Sequence, residues 1–349
     1  MLNYNNQLEE FFQSHLKWDK RRIKFLCSFI IALIKVKTIN LTEIALGLNP
    51  KVSDKSNYRR LQRFFSSFKI ELDVISKLMV FFLPQRDNFV LTMDRTNWKF
   101  GKININILML AIAYKGIAFP VMWKLLPKRG NSNTKERTEL IERFISVIGF
   151  EKIKCLTADR EFIGKDWFNY LKTRNIPFYI RIRNNSLTNR GVRVERHFSM
   201  LRIGECYVFP RKRKIYGHNL SIVGVRLKGD YLIIVTNSNP EEALENYKKR
   251  WQIETLFGAL KSKGFNFEDT HLTAEDRICK LIVLMAITFC WAHIVGEWRS
   301  ELNPLKVKKH KRLEKSIFRY GFDLLRAILL NMPYKVKEFR EVVKLLSCT

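Results

Sequence analysis

Six cysteines in 349 residues stand at positions 27, 155, 206, 279, 290 and 348. No two make a CxxC pair and no regular spacing links them. This excludes a zinc ribbon and a disulfide-stapled secreted domain, and it suits the reducing cytoplasm. The six histidines do not cluster at zinc-ligand spacing either. The opening residues lack the basic, apolar and cleavage-site order of a signal peptide. The longest apolar stretch, 281–296, is short for a bilayer and contains Thr288 and His293. A buried helix is expected there, and another over 25–36. Internal repeats and low-complexity linkers are absent. Negative charge is scarcest of all: 33 Asp and Glu face 63 Lys and Arg, a formal charge of +30. Such an excess repels itself in the free protein, so an anionic partner is expected, either nucleic acid or a membrane surface. With little to mark a membrane span, the membrane is the weaker of the two.

What is present is core material. Twenty-six phenylalanines exclude a disordered basic tail, and the length accommodates two or three domains. Residues 1–86 read as helices. Within them, 42–48 and 53–68 look like two helices joined by a turn, with Thr42 and Ser53 as candidate N-caps. In the second of these, Leu61, Phe64, Phe65 and Phe68 form an apolar stripe, while Arg59, Arg60 and Arg63 project elsewhere. A basic helix after a turn suits insertion into a DNA groove, and its alternative is an ordinary solvated face.

After Pro84 the pattern becomes β-rich. Runs at 89–94, 103–114 and 117–126 predict a three-strand meander. A helix over 134–148, a strand over 153–158, a helix over 165–174 and a strand over 177–182 follow. This is an α/β order with a mixed sheet, as in a ribonuclease-H-like domain. Residues 184–236 are Arg-rich with short strands, and they suit a β insertion. From 265 onward the chain reads as helical and basic. The predicted organisation is therefore a helical N-terminal DNA-binding region, 1–86, and a catalytic domain, 87–183 with 237–275. The β insertion at 184–236 and a helical basic C-terminal region, 276–349, complete it.

Chemistry concentrates at three places. Asp94 and Asp159 each end an apolar strand, where an ionised carboxylate is costly without a compensating cation. In a ribonuclease-H-like topology the first and fourth strands are neighbours, which brings the two aspartates together. A shared divalent cation would relieve their repulsion, and oxygen-only ligands favour Mg²⁺ or Mn²⁺. The third place is YKKRWQIETLFGALK, residues 247–261. On one helix, Tyr247, Arg250, Glu254 and Lys261 fall within an arc of about 60°. A carboxylate there can hold metal, the cations can hold phosphates and a ring can stack on a base. The plainer alternative is a solvated face carrying an Arg250–Glu254 pair.

The spacing Tyr247-x2-Arg250-x3-Glu254-x6-Lys261 matches the YREK signature of the insertion-sequence-four family of DDE transposases. LTMDRTNW around Asp94 and LTADREF around Asp159 resemble that family's first two catalytic blocks. The resemblance covers roughly residues 85–275. It implies that Asp94, Asp159 and Glu254 form a triad binding two Mg²⁺ ions, with Mn²⁺ able to substitute. It also implies that Tyr247, Arg250 and Lys261 hold double-stranded DNA, and that Glu161 and Arg160 brace the site. Two copies pairing two element ends, in the nucleoid of a bacterial cytoplasm, are implied as well. Hairpin-forming relatives carry a Trp in the β insertion. Residues 184–236 hold none, only Phe198, Tyr207, Phe209, Tyr216 and Tyr231, so the hairpin step falls outside what the resemblance implies. Trp98, Trp123, Trp167 and Trp251 read as core or sheet-packing residues.

Two other readings compete. Another nuclease of the same fold accounts for the carboxylates and the charge but not for the four-residue signature. A transposase-derived protein that only binds DNA would be favoured by loss of Asp94, Asp159 or Glu254, yet all three are present.

Overall fold

The computed structural model describes residues 6–309 and 313–347. Cys348 and part of the predicted basic C-terminal region lie outside the described residues. In chain order the helices and strands begin with α1 (Asn6–His15), α2 (Lys20–Val36), α3 (Leu41–Gly47), α4 (Asp54–Ser67) and α5 (Leu72–Phe81). Then come β1 (Phe89–Phe100), β2 (Ile103–Tyr114), β3 (Ile117–Leu125), α6 (Thr134–Ile148), β4 (Ile153–Ala158), α7 (Lys165–Thr173) and β5 (Phe178–Ile182). Four further strands follow: β6 (Cys206–Val208), β7 (Arg213–Ile215), β8 (His218–Leu227) and β9 (Asp230–Thr236). The chain ends with α8 (Ala243–Lys248), α9 (Trp251–Leu260), α10 (Glu275–Leu302), α11 (Ile317–Leu330) and α12 (Val336–Lys344). Two compact units result. One holds residues 85–97 and 104–256, and the other holds 1–84, 98–103 and 257–349.

The first unit is built on a sheet in the order β3-β2-β1-β4-β5-β9-β8-β6, with β7 paired to β8. β2 is buried from Ile107 to Tyr114 without alternation and β3 almost throughout, the pattern of strands covered on both faces. β1 and β4 run parallel, as do β4 and β5, whereas β9 joins β5 antiparallel. This is the ribonuclease-H-like arrangement expected from the sequence. The β-rich insertion does not stand apart from it. Ile182 pairs with Ile233 and Tyr179 with Thr236, so β9, β8 and β6 extend the central sheet.

The second unit is helical. α10 is apolar on every face, and 94% of its most apolar 18-residue window is buried. By length and composition this helix could cross a membrane; here it is the centre of a core, as an all-round apolar helix must be when other helices surround it. Trp291 donates from Nε1 to the Val342 carbonyl at 2.9 Å, which ties α12 to it. Lys280, 3% exposed, donates to the Phe65 carbonyl at 2.9 Å and to Asp276 at 2.6 Å. α10 and α11 cross where Gly296 meets Gly321. A Cβ on Gly321 would fall on the Ala292 carbonyl oxygen, and one on Gly296 on that of Ile317.

α2 buries ten residues from Ile23 to Ile34, and each Ile, Leu and Phe among them is worth roughly 1.5–3 kcal/mol. It packs against both α10 and α11. The N-terminal and C-terminal helices thus share one core rather than forming separate terminal regions. Ser53 caps α4 through its hydroxyl, as the sequence suggests. α3 starts one residue earlier than expected, capped by Asn40, whose Oδ1 accepts from Thr42 N at 3.0 Å. Asn outcompetes Thr because its carbonyl reaches the second free amide of the helix.

Candidate active site

The register between β1 and β4 places the two aspartates. Thr92 is opposite Thr157 and Met93 opposite Ala158. Asp94 and Asp159 are the next residue on each strand, so their side chains emerge side by side where β4 ends. Each carboxylate bonds the next amide: Asp94 Oδ1 accepts from Arg95 N within β1, and Asp159 Oδ1 from Arg160 N at the turn after β4, both at 2.7 Å. Burial raises the Asp94 carboxyl to about 6. The Arg95 amide and the Arg250 guanidinium oppose that rise, while Asp159 and Glu161 reinforce it. A carboxyl pushed up chiefly by burial, with a specific charged partner beside it, is characteristic of a functional position.

Glu254 reaches this corner through Arg250. Arg250 Nη1 lies 3.5 Å from Asp94 Oδ2, and Nη2 lies 2.8 Å from Glu254 Oε1. The guanidinium is 3% exposed, and its Nε has no hydrogen-bond partner. Burial disfavours its charge, yet Tyr247, Glu254 and Asp159 hold it protonated above the usual value. A single arginine therefore serves as counter-ion to two of the three predicted carboxylates.

The expected continuous helix over 247–261 is broken. α8 stops at Lys248 and α9 starts at Trp251, with Lys249 and Arg250 in a turn. Hydrogen bonds of the i→i−3 kind cross the break, Arg250 N to Tyr247 O at 3.0 Å and Ile253 N to Arg250 O at 3.1 Å. Tightening the backbone there turns Arg250 inward and Trp251 outward. Trp251 is 55% exposed, in contrast to the core position expected for it. Arg250 covers its ring at 4.5 Å. Trp98, Trp123 and Trp167 are buried as expected.

Tyr247 is 2% exposed and packs with Val90, Ala113, Cys155, Tyr179, Val223, Ile234 and Ala243. Burial is the main reason its hydroxyl is pushed up to about 12. The structure therefore places this ring beneath the site, within the core. Lys261 belongs to the helical unit, where its ammonium meets Glu268 at 2.7 Å and Trp98 at 5.6 Å. Arg60 and Arg63 line a cleft beside α2, whereas Arg59 is exposed outside it.

One bracing residue is easily missed in the sequence. Arg95 grips both oxygens of Glu161, at 2.8 and 3.1 Å. It also donates to Asn106 Oδ1 at 2.9 Å and Asn131 Oδ1 at 3.2 Å. Asn106 in turn holds the Lys128 and Gly130 carbonyls at 3.0 and 3.1 Å. A fork of this kind fixes β1 relative to the turn that follows β4. Its signal is the step after each aspartate: Arg95 directly follows Asp94, and Glu161 stands two beyond Asp159.

The donors at this corner are carboxylate oxygens, the set that a hard divalent cation takes. Asp94 and Asp159, set side by side by the β1–β4 register, are the electrostatic complement of such a cation. Among the described residues, no group of three His, Cys, Asp or Glu is close enough to hold a metal ion, because the Arg250 guanidinium separates Asp94 from Glu254. The residues fit a divalent cation in chemistry, with the third carboxylate one guanidinium away.

Residues 86–291 match the family described as Transposase DDE domain. No curated protein matches the sequence. Among solved structures, the chain is similar to the piggyBac transposase synaptic complex with hairpin DNA, with a TM-score of 0.50 and 11% identity. The similarity covers 94% of this chain and 76% of that one, and at this identity it speaks for the fold. Enzymes of the DDE transposase class generally depend on divalent metal. The matched segment spans more than half of the chain and contains both aspartates, Arg250 and Glu254, so the chain belongs to the transposase DDE domain family.

Proposed function

We propose that this chain is the transposase of an insertion sequence of the insertion-sequence-four type, carrying out cut-and-paste transposition in the bacterial cytoplasm. The observation that carries the reading is the parallel register that sets Asp94 beside Asp159, with Glu254 joined to Asp94 through Arg250. Asp94, Asp159 and Glu254 would hold two Mg²⁺ ions, with Mn²⁺ as a substitute. The ions, when bound, would activate the attacking oxygen and stabilise the departing one.

The chain's own residues do the rest. By holding the ions, the three carboxylates would orient the scissile phosphate for in-line attack. A water oxygen forms a bond to phosphorus while the bond to the 3′-oxygen breaks, leaving a 3′-hydroxyl and a 5′-phosphate. That hydroxyl then attacks a phosphodiester of the target, again displacing a 3′-oxygen. Arg250 neutralises Asp94 and Glu254 in the resting protein. Its task passes to holding a phosphate as DNA arrives, with the Tyr247 ring backing it from the core at 5.7 Å, and Lys261 on the helical unit is a further DNA-binding cation. The α4 arginines Arg59, Arg60 and Arg63 add sequence-independent attraction to double-stranded DNA, and two copies would pair the two ends.

The test uses a duplex carrying the terminal inverted repeat that flanks the coding DNA. Cleavage in Mg²⁺ is compared for the natural protein and Glu254→Gln, with binding measured alongside. Cleavage at the repeat boundary that the substitution abolishes, with binding retained, is the expected result. Binding without cleavage by either protein would instead identify a transposase-derived DNA-binding protein.

A further inference from the structure

A second concentration of charge lies on the helical unit, which holds none of the three carboxylates. The first turns of α2 carry Arg21, Arg22 and Lys24, and the facing side of α4 carries Arg60 and Arg63. Between them runs a cleft of about 720 Å³ lined by all five cations. Its floor is aromatic, with Phe25 and Phe64 stacked at 4.2 Å. Rings also hold two of the guanidinium groups in place: Arg22 lies 4.8 Å from Phe68, and Arg60 lies 5.4 Å from Phe25.

The acids nearby do not balance these cations. Asp19 lines the cleft, but its carboxylate is already engaged as the cap of α2. It accepts from Arg21 N at 2.9 Å and Arg22 N at 3.1 Å, and lies 3.8 Å from Arg22 Nε. Glu9 is felt by Lys24. The Arg60 guanidinium is more acidic than usual, through burial first and the neighbouring Arg63 second. Like charges gathered over a buried aromatic floor weaken the free protein, and a polyanion removes that cost. The cations are spread over two helices in a cleft far larger than one phosphate group. That spread fits a run of successive phosphates better than a single anion.

We propose that the cleft between α2 and α4 grips one strand of the DNA backbone, with Arg21, Arg22 and Lys24 on one wall and Arg60 and Arg63 on the other. This deepens the DNA-binding reading above and rests on it. It makes the α2–α4 pair a backbone clamp, with Arg60 and Arg63 turned towards α2 rather than projecting alone. Its contribution is independent of sequence, because phosphates carry none.

The experiment measures the affinity of the full chain for an end-bearing duplex and a scrambled duplex across a range of NaCl. Arg22→Gln combined with Arg63→Gln is compared with the natural protein and with Lys55→Gln, an α4 lysine outside the cleft. Losing two phosphate contacts at about 0.9 each should flatten the slope of log affinity against log salt by about 1.8. Affinity should fall by the same factor for both duplexes, and Lys55→Gln should change the slope far less. Arg21→Gln with Lys24→Gln repeats the test without disturbing the Phe68 contact, should the first pair unfold. Unchanged slope and affinity in a folded variant would overturn the clamp while leaving the transposase reading intact. Inorganic phosphate competing at concentrations as low as DNA would overturn it in favour of a small-anion site. Variants that lose binding to vesicles of anionic lipid, yet bind DNA normally, would mean a membrane surface. Failure of the natural protein to bind either duplex would remove both readings.

Discussion

At the scale of single residues, the corner around Asp94 depends on two arginines with different tasks. Arg250 neutralises carboxylates, while Arg95 positions them. Arg95 and Glu161 are only 13% and 19% exposed, so removing one leaves the other charge poorly solvated. Such a break costs about 3 kcal/mol. Arg95→Ala should therefore lower stability by that order, measured by denaturant unfolding, and should lower the cleavage rate as β1 and the turn after β4 loosen. Arg95→Lys keeps the charge but loses the fork that reaches Glu161, Asn106 and Asn131 together. It should recover most of the stability and little of the rate. Equal recovery of both would mean that Arg95 contributes charge alone. Tyr247 gives a simpler expectation. Its ring fills a packed core, so Tyr247→Ala should cost about 3–5 kcal/mol. A variant that lost DNA affinity at unchanged stability would instead place this ring in contact with DNA.

Elements separate what the sequence reveals from what it hides. β2, β3, α6, β4 and α7 all fall within one residue of their expected bounds, whereas β1, expected over 89–94, runs on to Phe100. Their periodicity is a local property, and tertiary packing only reinforced it. Asp159 was legible as a strand-end acid for the same reason, whereas Asp94 lies inside β1, which continues to Phe100. The break between α8 and α9 was not legible, because Lys249 and Arg250 include neither glycine nor proline to announce it. Its effect is non-local: it turns Arg250 inward to two carboxylates, one of them 156 positions away in sequence. Likewise, nothing local says that β9 will pair with β5 or that α2 will pack with α10.

The α10–α11 crossing is another such non-local fact. Gly296 and Gly321 let the two backbones touch, so Gly321→Ala forces the helices apart. It should cost at least the 1–3 kcal/mol of an overpacked core, about what one extra methyl group does where neighbours cannot yield. Gly296→Ala acts at the same crossing, so the double variant should be less destabilised than the two costs added together. Unfolding midpoints that match those of the natural protein would show that the helices have room to spare.

For the whole molecule, the charge of +30 sets an expectation whose sign depends on the partner. Added salt weakens surface ion pairs such as Arg174–Glu142 and Lys315–Asp323, but exposed pairs are worth only about 0.2–1 kcal/mol each. Salt also screens the repulsion among 63 cations, over a Debye length that shrinks from about 30 Å at 0.01 M to about 10 Å at 0.1 M. With nearly two cations for every acid, repulsion outweighs the ion pairs, so the free protein should melt at a higher temperature as salt rises. A gain of about 1 kcal/mol in a chain of this size would appear as a shift of a few degrees. Bound to DNA, the same protein should behave in the opposite way. DNA stabilises it at low salt by mass action, and counterion release makes that gain fall steeply as salt rises. The two melting curves, drawn against salt, should therefore converge. Curves that rise in parallel would mean that the excess charge is spread over the surface and does not meet the DNA.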